Sequence, residues 1–134
     1  MRLKGCTALI SGSAPGIGRG VAHGFALEGA AAIVINYPDE AQSEATESVS
    51  ASVRHSGARA HVICADVLQE TEVAGLIREA PAQLDRIDIL VNETGIANSD
   101  PFETLQPETR DKVIRMHLRG TFLLTRAILP GMYA

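Results

Sequence analysis

The segment from Thr7 to Gly18 reads Thr-Ala-Leu-Ile-Ser-Gly-Ser-Ala-Pro-Gly-Ile-Gly, and it constrains the fold more than any other part of the chain. An apolar run, Cys6 to Ile10, fits a buried strand, and a helical pattern opens at Gly16. Gly12, Gly16 and Gly18 therefore fall at a strand-to-helix turn, where glycine lets the backbone bend tightly and approach a ligand closely. The free amides and positive dipole end of the following helix favour an anion such as a pyrophosphate. The spacing Gly12-x3-Gly16-x-Gly18 departs from the common G-x-G-x-x-G, and a tight turn without a ligand would show the same glycines.

Beyond the turn, Ile17, Val21 and Phe25 recur every four residues, which predicts a helix with that face on a sheet. Gly20 and Gly24 lie within it, each costing about 1 kcal/mol relative to alanine, so that either close packing on the strand, the favoured reading, offsets the cost or the helix is marginal, and Gly29 ends it. Ala31 to Asn36 is a continuous apolar run suited to a strand covered on both sides, broken by Pro38 and Asp39. Ala41, Ala45, Val49 and Val53 then predict a second helix ending at Gly57. Ala60 to Ala65 is a third strand closed by Asp66, and Val73, Leu76, Ile77, Ala80 and Leu84 mark a third helix that Pro81 should end or kink near Ala80.

Ile87 to Val91 is a fourth strand, with Asp88 placed as a structural acid near its start, followed by the polar turn Asn92-Glu93-Thr94-Gly95. A last long helix opens at Pro107, with Val113, Met116, His117, Gly120, Leu123, Leu124, Ala127 and Ile128 as its apolar stripe and Pro130-Gly131 as its stop. Strands alternating with helices predict an α/β fold, a doubly wound parallel sheet of Rossmann-like type. The 134 residues, 46% of them hydrophobic, suffice for a single dinucleotide-binding domain over residues 1–134.

A net charge of -4 with scattered Lys and Arg argues against a nucleic acid partner. The longest apolar run, Ala30 to Ile35, is far too short for a membrane span, and the default localisation is cytoplasmic. Cys6 and Cys64, on strands separated by a third, read as free thiols. His23, His55, His61 and His117 show no metal-ligand spacing.

In their order these motifs resemble the short-chain dehydrogenase/reductase family, within it the 3-oxoacyl-carrier-protein reductase type, over the whole chain but only the N-terminal half of a family member. Ser11-Gly12-Ser13-Ala14-Pro15-Gly16-Ile17-Gly18 resembles the family's glycine loop, Asp66-Val67 the pair beside the adenine ring, and Asn92-Glu93-Thr94-Gly95 its Asn-Asn-Ala-Gly turn with the second and third residues changed. The resemblance implies NADP or NAD bound across the carboxyl ends of the strands, with Gly12, Ser13, Pro15, Gly16, Ile17, Gly18, Asn36, Tyr37, Asp66, Val67, Asn92, Thr94 and Gly95 as cofactor-binding residues. Strand two ends Asn36-Tyr37 with no acid to repel a 2'-phosphate, which favours NADP, although Arg19 stands a turn into the helix and Pro15 fills a position often basic in NADP-preferring relatives.

The family's general acid/base chemistry uses a tyrosine with a lysine four residues on, a serine, and an asparagine on the long helix. Neither Tyr37 nor Tyr133 has such a lysine, Lys4 and Lys112 lie elsewhere, and His117 occupies the asparagine position. A proton-shuttling His117 competes with a histidine satisfied by a backbone partner, and the second is the plainer reading. The expectation is a dinucleotide-binding half that is inactive alone. Its fourth strand then lies on a sheet edge, so the isolated chain should be poorly stable or self-associate. The alternatives are a non-catalytic interaction module, a homo-oligomer or a partner of full-length relatives through the long helix, and more distantly a methyltransferase core; a P-loop is excluded because Gly-Lys-Ser/Thr is absent.

Overall fold

Four apolar runs become four parallel strands in the computed structural model, which describes residues 1–13, 16–80 and 86–134. They are β1 (Thr7–Ser11), β2 (Ala32–Tyr37), β3 (Arg59–Cys64) and β4 (Ile89–Asn92), each shifted slightly from its apolar run because ladder hydrogen bonds set the strand ends. Their order is β3-β2-β1-β4, with Ser11 opposite Asn36 on one side and Asn92 on the other. Parallel neighbours require crossovers. These are α1 (Ile17–Leu27), a 3-10 turn (Glu40–Gln42) running into α2 (Ser43–His55), and α3 (Glu70–Glu79). After β4 come α4 (Pro107–Ile114), a π-helical segment (Arg115–Gly120) and α5 (Thr121–Tyr133).

Side chains alternate across a strand, and this alternation divides the core in two. Ile10, Ile33 and Ile35 pack with Ala22, Ala26, Val49 and Val53 of α1 and α2 on one side. Leu9, Val34 and Ile63 pack with Val73, Leu76, Leu123, Leu124 and Ile128 of α3 and α5 on the other. Each such fully buried aliphatic side chain contributes roughly 1.5–3 kcal/mol. The central strands β1 and β2 are buried throughout, whereas Ile89, Leu90 and Val91 of β4 are half-buried because β4 is an edge.

Several helical faces differ from the expected ones. Ile17 is 70% exposed, and α1 turns Gly18, Ala22 and Ala26 to the sheet instead, because those smaller residues allow a closer approach. Gly20 and Gly24 are not packing glycines: a Cβ at either would meet nothing within 4 Å. On α2 the buried stripe is Thr46, Val49, Ser50 and Val53, one residue round from the expected one, and Ala41 and Ala45 are exposed. The preceding 3-10 turn rotates the helix into this phase, and Thr46 satisfies its buried hydroxyl on the Gln42 carbonyl at 2.7 Å.

The helix ends follow local chemistry. Gly29 leaves α1 with φ 88°, and the amides of Gly29 and Ala30 return to the carbonyls of Ala26 and Phe25, both at 3.0 Å. Helix α3 stops at Glu79, and Ala80 turns extended with ψ 112°, the conformation that a following proline favours. Pro81 and Leu84, like Pro15, lie outside the described residues. Pro130 does not stop α5. It lies exposed near the helix end, where a single hydrogen bond is lost while Leu123, Leu124 and Ile128 hold the helix on the sheet. The single long helix is instead interrupted earlier, by the π-helical segment that contains His117.

Asp88 closes the start of the sheet, as a structural acid. Its Oδ2 accepts from the Thr7 amide at 2.8 Å, its Oδ1 from Arg86 Nε at 2.9 Å, and its own amide donates to the Thr7 carbonyl. The Thr7 amide, followed by Arg86, holds the carboxyl below its ordinary 3.8. A depressed folded value means that the unfolded chain binds the proton more readily, so this stabilisation is present above about pH 4 and is lost as pH falls through the folded value. Asp88→Asn should therefore flatten the acid limb of stability measured by urea denaturation below pH 4. At neutral pH, Gly20→Ala or Gly24→Ala should each raise stability by up to about 1 kcal/mol, read as a higher urea midpoint.

Candidate functional site

The strand order reverses between β1 and β4, which stay paired to Ser11 and Asn92, and in such a sheet the crevice for a ligand lies outside the carboxyl ends of the strands at this point. Ser11 builds its floor. Its hydroxyl, 1% exposed as a residue, accepts from the amides of Glu93 at 3.0 Å and Thr94 at 3.2 Å and donates to the Val91 carbonyl at 3.4 Å. The chain following β4 is thereby bound to the end of β1. Gly12 then turns with φ 66°, its amide donating to the Asn36 carbonyl at 3.0 Å. A Cβ there would stand 2.8 Å from Thr94 Cα, so both the dihedral angle and the space demand glycine.

Helix α1 starts directly above this turn. A Cβ on Gly18 would lie 2.8 Å from the Gly12 carbonyl oxygen, which makes Gly18 the glycine that seats the helix on the strand end. Gly16, with φ 80°, occupies the N-cap and supplies no side-chain cap. The first amides of α1 thus lack a side-chain acceptor, the arrangement that receives a phosphate. Ser13 supports the turn from beneath, fully buried, its hydroxyl donating to the Ile10 carbonyl at 2.9 Å.

Between these elements lies a cavity of about 220 Å³ lined by Gly12, Ile17, Pro38, Gln42, Glu93, Thr94 and Gly95. Thr94 Oγ1 is buried there without a hydrogen-bond partner among the described residues. An orphaned hydroxyl, a turn with no room for a Cβ and an uncapped helix N-terminus suit a phosphate-bearing ligand with hydroxyl groups. A larger apolar cavity of about 560 Å³, lined by Leu3, Val21, Phe25 and Leu27 among others, lies by the far end of α1 and away from these groups. Size does not identify the site here.

Of the residues expected to bind a cofactor, Gly12, Ile17, Thr94 and Gly95 share this cavity. The exposed Ile17 side chain belongs to the groove, not to the core. Asn36 does not: it is 1% exposed, and its Nδ2 is spent on the carbonyls of Ile63 at 3.2 Å and Ala65 at 3.0 Å, tying β2 to the end of β3. Tyr37 is 7% exposed at the end of β2, and burial pushes its phenol above the ordinary value. Asp66 accepts from the Leu68 amide at 2.9 Å as a turn residue, and Val67 is buried in the core. Asn92 turns its Nδ2 to Thr125 of α5 at 3.2 Å.

His117 is exposed, and its Nε2 donates to the Ile96 carbonyl at 2.9 Å. It has the backbone partner of the plainer reading, although the π-helical segment brings it against the loop after β4 and off the buried stripe. A Cβ on Gly95 would come within 3.0 Å of His117 Nε2, so the glycine makes room for the ring. Sequence reasoning overlooked Ser11, Glu93, Pro38 and Gln42 as parts of the site. Only Ser11 carried a signal, as a hydroxyl at the end of an otherwise apolar strand.

An open parallel sheet with a glycine turn at the strand-order reversal defines a protein of the doubly wound α/β class. Residues 6–134 match the family model described as short chain dehydrogenase, and the chain belongs to that family. It is 36% identical over 133 residues to oxidoreductase UcpA of Escherichia coli strain K12, covering 99% of this chain and 49% of that protein. It is 37% identical over 130 residues to D-beta-hydroxybutyrate dehydrogenase of Cupriavidus necator, covering 97% and 49%. Among solved structures, a dehydrogenase/reductase from Sinorhizobium meliloti superposes with a TM-score of 0.87 at 34% identity, over 97% of this chain and 50% of that one. A structure from Burkholderia cenocepacia with bound NADP gives 0.84 at 28% identity, over 93% and 47%. The chain spans about half the length of the curated relatives it matches.

Ser11→Ala should leave the amides of Glu93 and Thr94 without their acceptor. The expected cost is about 1–3 kcal/mol by urea denaturation, accompanied by faster hydrogen exchange at those two amides.

Proposed function

We propose that this chain holds a nicotinamide dinucleotide across the carboxyl ends of β1, β2 and β4, as the nucleotide-binding part of an oxidoreductase that interconverts carbonyl and alcohol groups. The observation that carries the reading is the turn at Gly12, where the backbone of Glu93 and Thr94 leaves no room for a side chain and α1 starts on the same turn through Gly18. The backbone there is bare towards the groove, and a pyrophosphate can approach the amides at Gly16 and Ile17. Thr94, whose backbone borders this turn, carries a buried Oγ1 with no partner among the described residues, hydrogen-bonding capacity that the protein leaves unused. Asp66 and Val67, beyond β3, sit at the strand end where the adenine would rest. The bound dinucleotide would supply hydride transfer, and the similarity to oxidoreductase UcpA and to the hydroxybutyrate dehydrogenase supports that class.

The fourth residue after Tyr37 is Ala41 and not a lysine, so Tyr37 does not make the family's tyrosine-lysine proton relay. The role proposed for residues 1–134 is accordingly dinucleotide binding, with no turnover of carbonyl substrates expected from these residues alone. A cytoplasmic setting accords with the free thiols Cys6 and Cys64, and among the described residues no helix is long and apolar enough to cross a membrane. A second reading, an interaction module that self-associates or pairs with longer relatives, is favoured by one observation. Ile114, Leu118 and Phe122 stand at four-residue spacing from α4 into α5 and are 48%, 66% and 57% exposed.

Titration of the folded chain with NADH and NADPH, followed by nucleotide fluorescence and calorimetry, tests the proposal alongside a ketone-reduction assay. Saturable binding without turnover is expected. A folded sample that binds neither nucleotide but sediments as a dimer would favour the second reading, and turnover by the chain alone would refute its inactivity.

A further inference from the structure

We infer that the groove accepts the dinucleotide without a 2'-phosphate, and that Glu93 is the residue that selects it. The inference rests on the cofactor reading above and names the form of the cofactor. Among the described residues, Glu93 is the only ionisable one lining the cavity, where it stands with Pro38 and Gln42 from the segment after β2. In a doubly wound sheet the segment after the second strand lies beside the adenosine ribose, the place where a 2'-phosphate would sit. Ser11 fixes Glu93 in place through its amide at 3.0 Å.

The surrounding charges have the same sign. Asp39 and Glu40 follow Pro38 directly, Asp39 holding the 3-10 turn through the Ala41 amide at 3.0 Å. Cys64, paired in register with Tyr37, has its thiol pushed up by burial and then by the charge of Glu40, against a lowering hydrogen bond with Tyr37, with Glu72 and Asp39 adding to the rise. Asn36, whose lack of charge suggested NADP, is committed to backbone carbonyls across to β3 and meets neither form of the cofactor. Arg19, near the turn, lines a separate cavity of about 310 Å³ between α1 and α2, with Gly16, Gly20, His23, Val49 and Ser52.

A free ribose diol can donate to the Glu93 carboxylate in charge-assisted hydrogen bonds. A 2'-phosphate would instead bring roughly two further negative charges into a cavity that has an acidic residue and, among the described residues, no cation on its lining.

Calorimetric titration of the whole chain with NADH and NADPH provides the test, repeated with Glu93→Gln and Arg19→Gln. The unmodified chain should bind NADH at least about tenfold more tightly than NADPH. Glu93→Gln should narrow the gap to about threefold or less, mainly by tightening NADPH, and Arg19→Gln should leave the ratio unchanged. Should Glu93→Gln fail to fold, added salt on the unmodified chain gives the same information, because screening a like-charge repulsion narrows the gap. Equal binding, tighter NADPH, an Arg19→Gln variant that loses NADPH selectively, or a gap insensitive to both Glu93→Gln and salt would overturn the inference while leaving the cofactor reading intact. Failure of a folded sample to bind either nucleotide would overturn both.

Discussion

The hydroxyl of Ser11 joins the two halves of this fold at the point where they diverge. Strand β1 lies between β2 and β4, and beyond Ser11 the ladder to both neighbours ends, leaving the backbone of residues 93 and 94 to be held by something else. One oxygen holds both amides while donating to Val91, so the chain leaving β4 is pressed against Gly12. Because Gly12 carries no side chain, the two backbones meet, and α1 can then start on the same turn through Gly18. The buried sheet core supplies most of the stability, but this small set of contacts sets the shape of the groove.

The core and the groove obey different rules. In the core, period-two alternation sends Leu9 and Val34 to one side, covered by Leu76, Leu123, Leu124 and Ile128, and Ile10, Ile33 and Ile35 to the other, covered by the smaller Ala22, Ala26, Val49 and Val53. At the groove the same strands end in backbone groups and polar side chains whose partners come from other strands. Asn36 bridges to β3, Asn92 to α5, Ser11 to the chain after β4. Such bonds consume side chains that a one-dimensional reading would aim at a ligand, and they leave at the groove others, such as Glu93, that it would pass over.

The long C-terminal helical region shows how tertiary contacts can override a local pattern. Apolar positions from Val113 to Ile128 suggest one continuous stripe, yet the π-helical segment re-phases it, exposing His117 and Leu118 while Gly120, Leu123 and Leu124 reach the core. Gly120 shows why the phase matters there, since a Cβ on it would stand 3.0 Å from Val67 Cγ2. The His117 ring finds its place because Gly95 has no side chain and Ile96 offers a carbonyl, two features far from it in sequence.

Much was determined by the sequence alone: four strands and the helices between them, the glycine turn, the helix stops at Gly29 and Ala80, and the family to which the motifs belong. These are legible because apolar periodicity, glycine dihedrals and proline sterics act within a few residues of the chain. Tertiary structure alone decided which face of α1 and α2 is buried, that Gly18 and not Gly20 or Gly24 is the packing glycine, and that Asn36 is spent inside the sheet. It also decided that Glu93, Thr94, Pro38 and Gln42 share one cavity with Gly12. The physical reason is that parallel strands bring together residues some 80 apart, such as Ser11 and Glu93, and what each side chain can do depends on the partner it meets there.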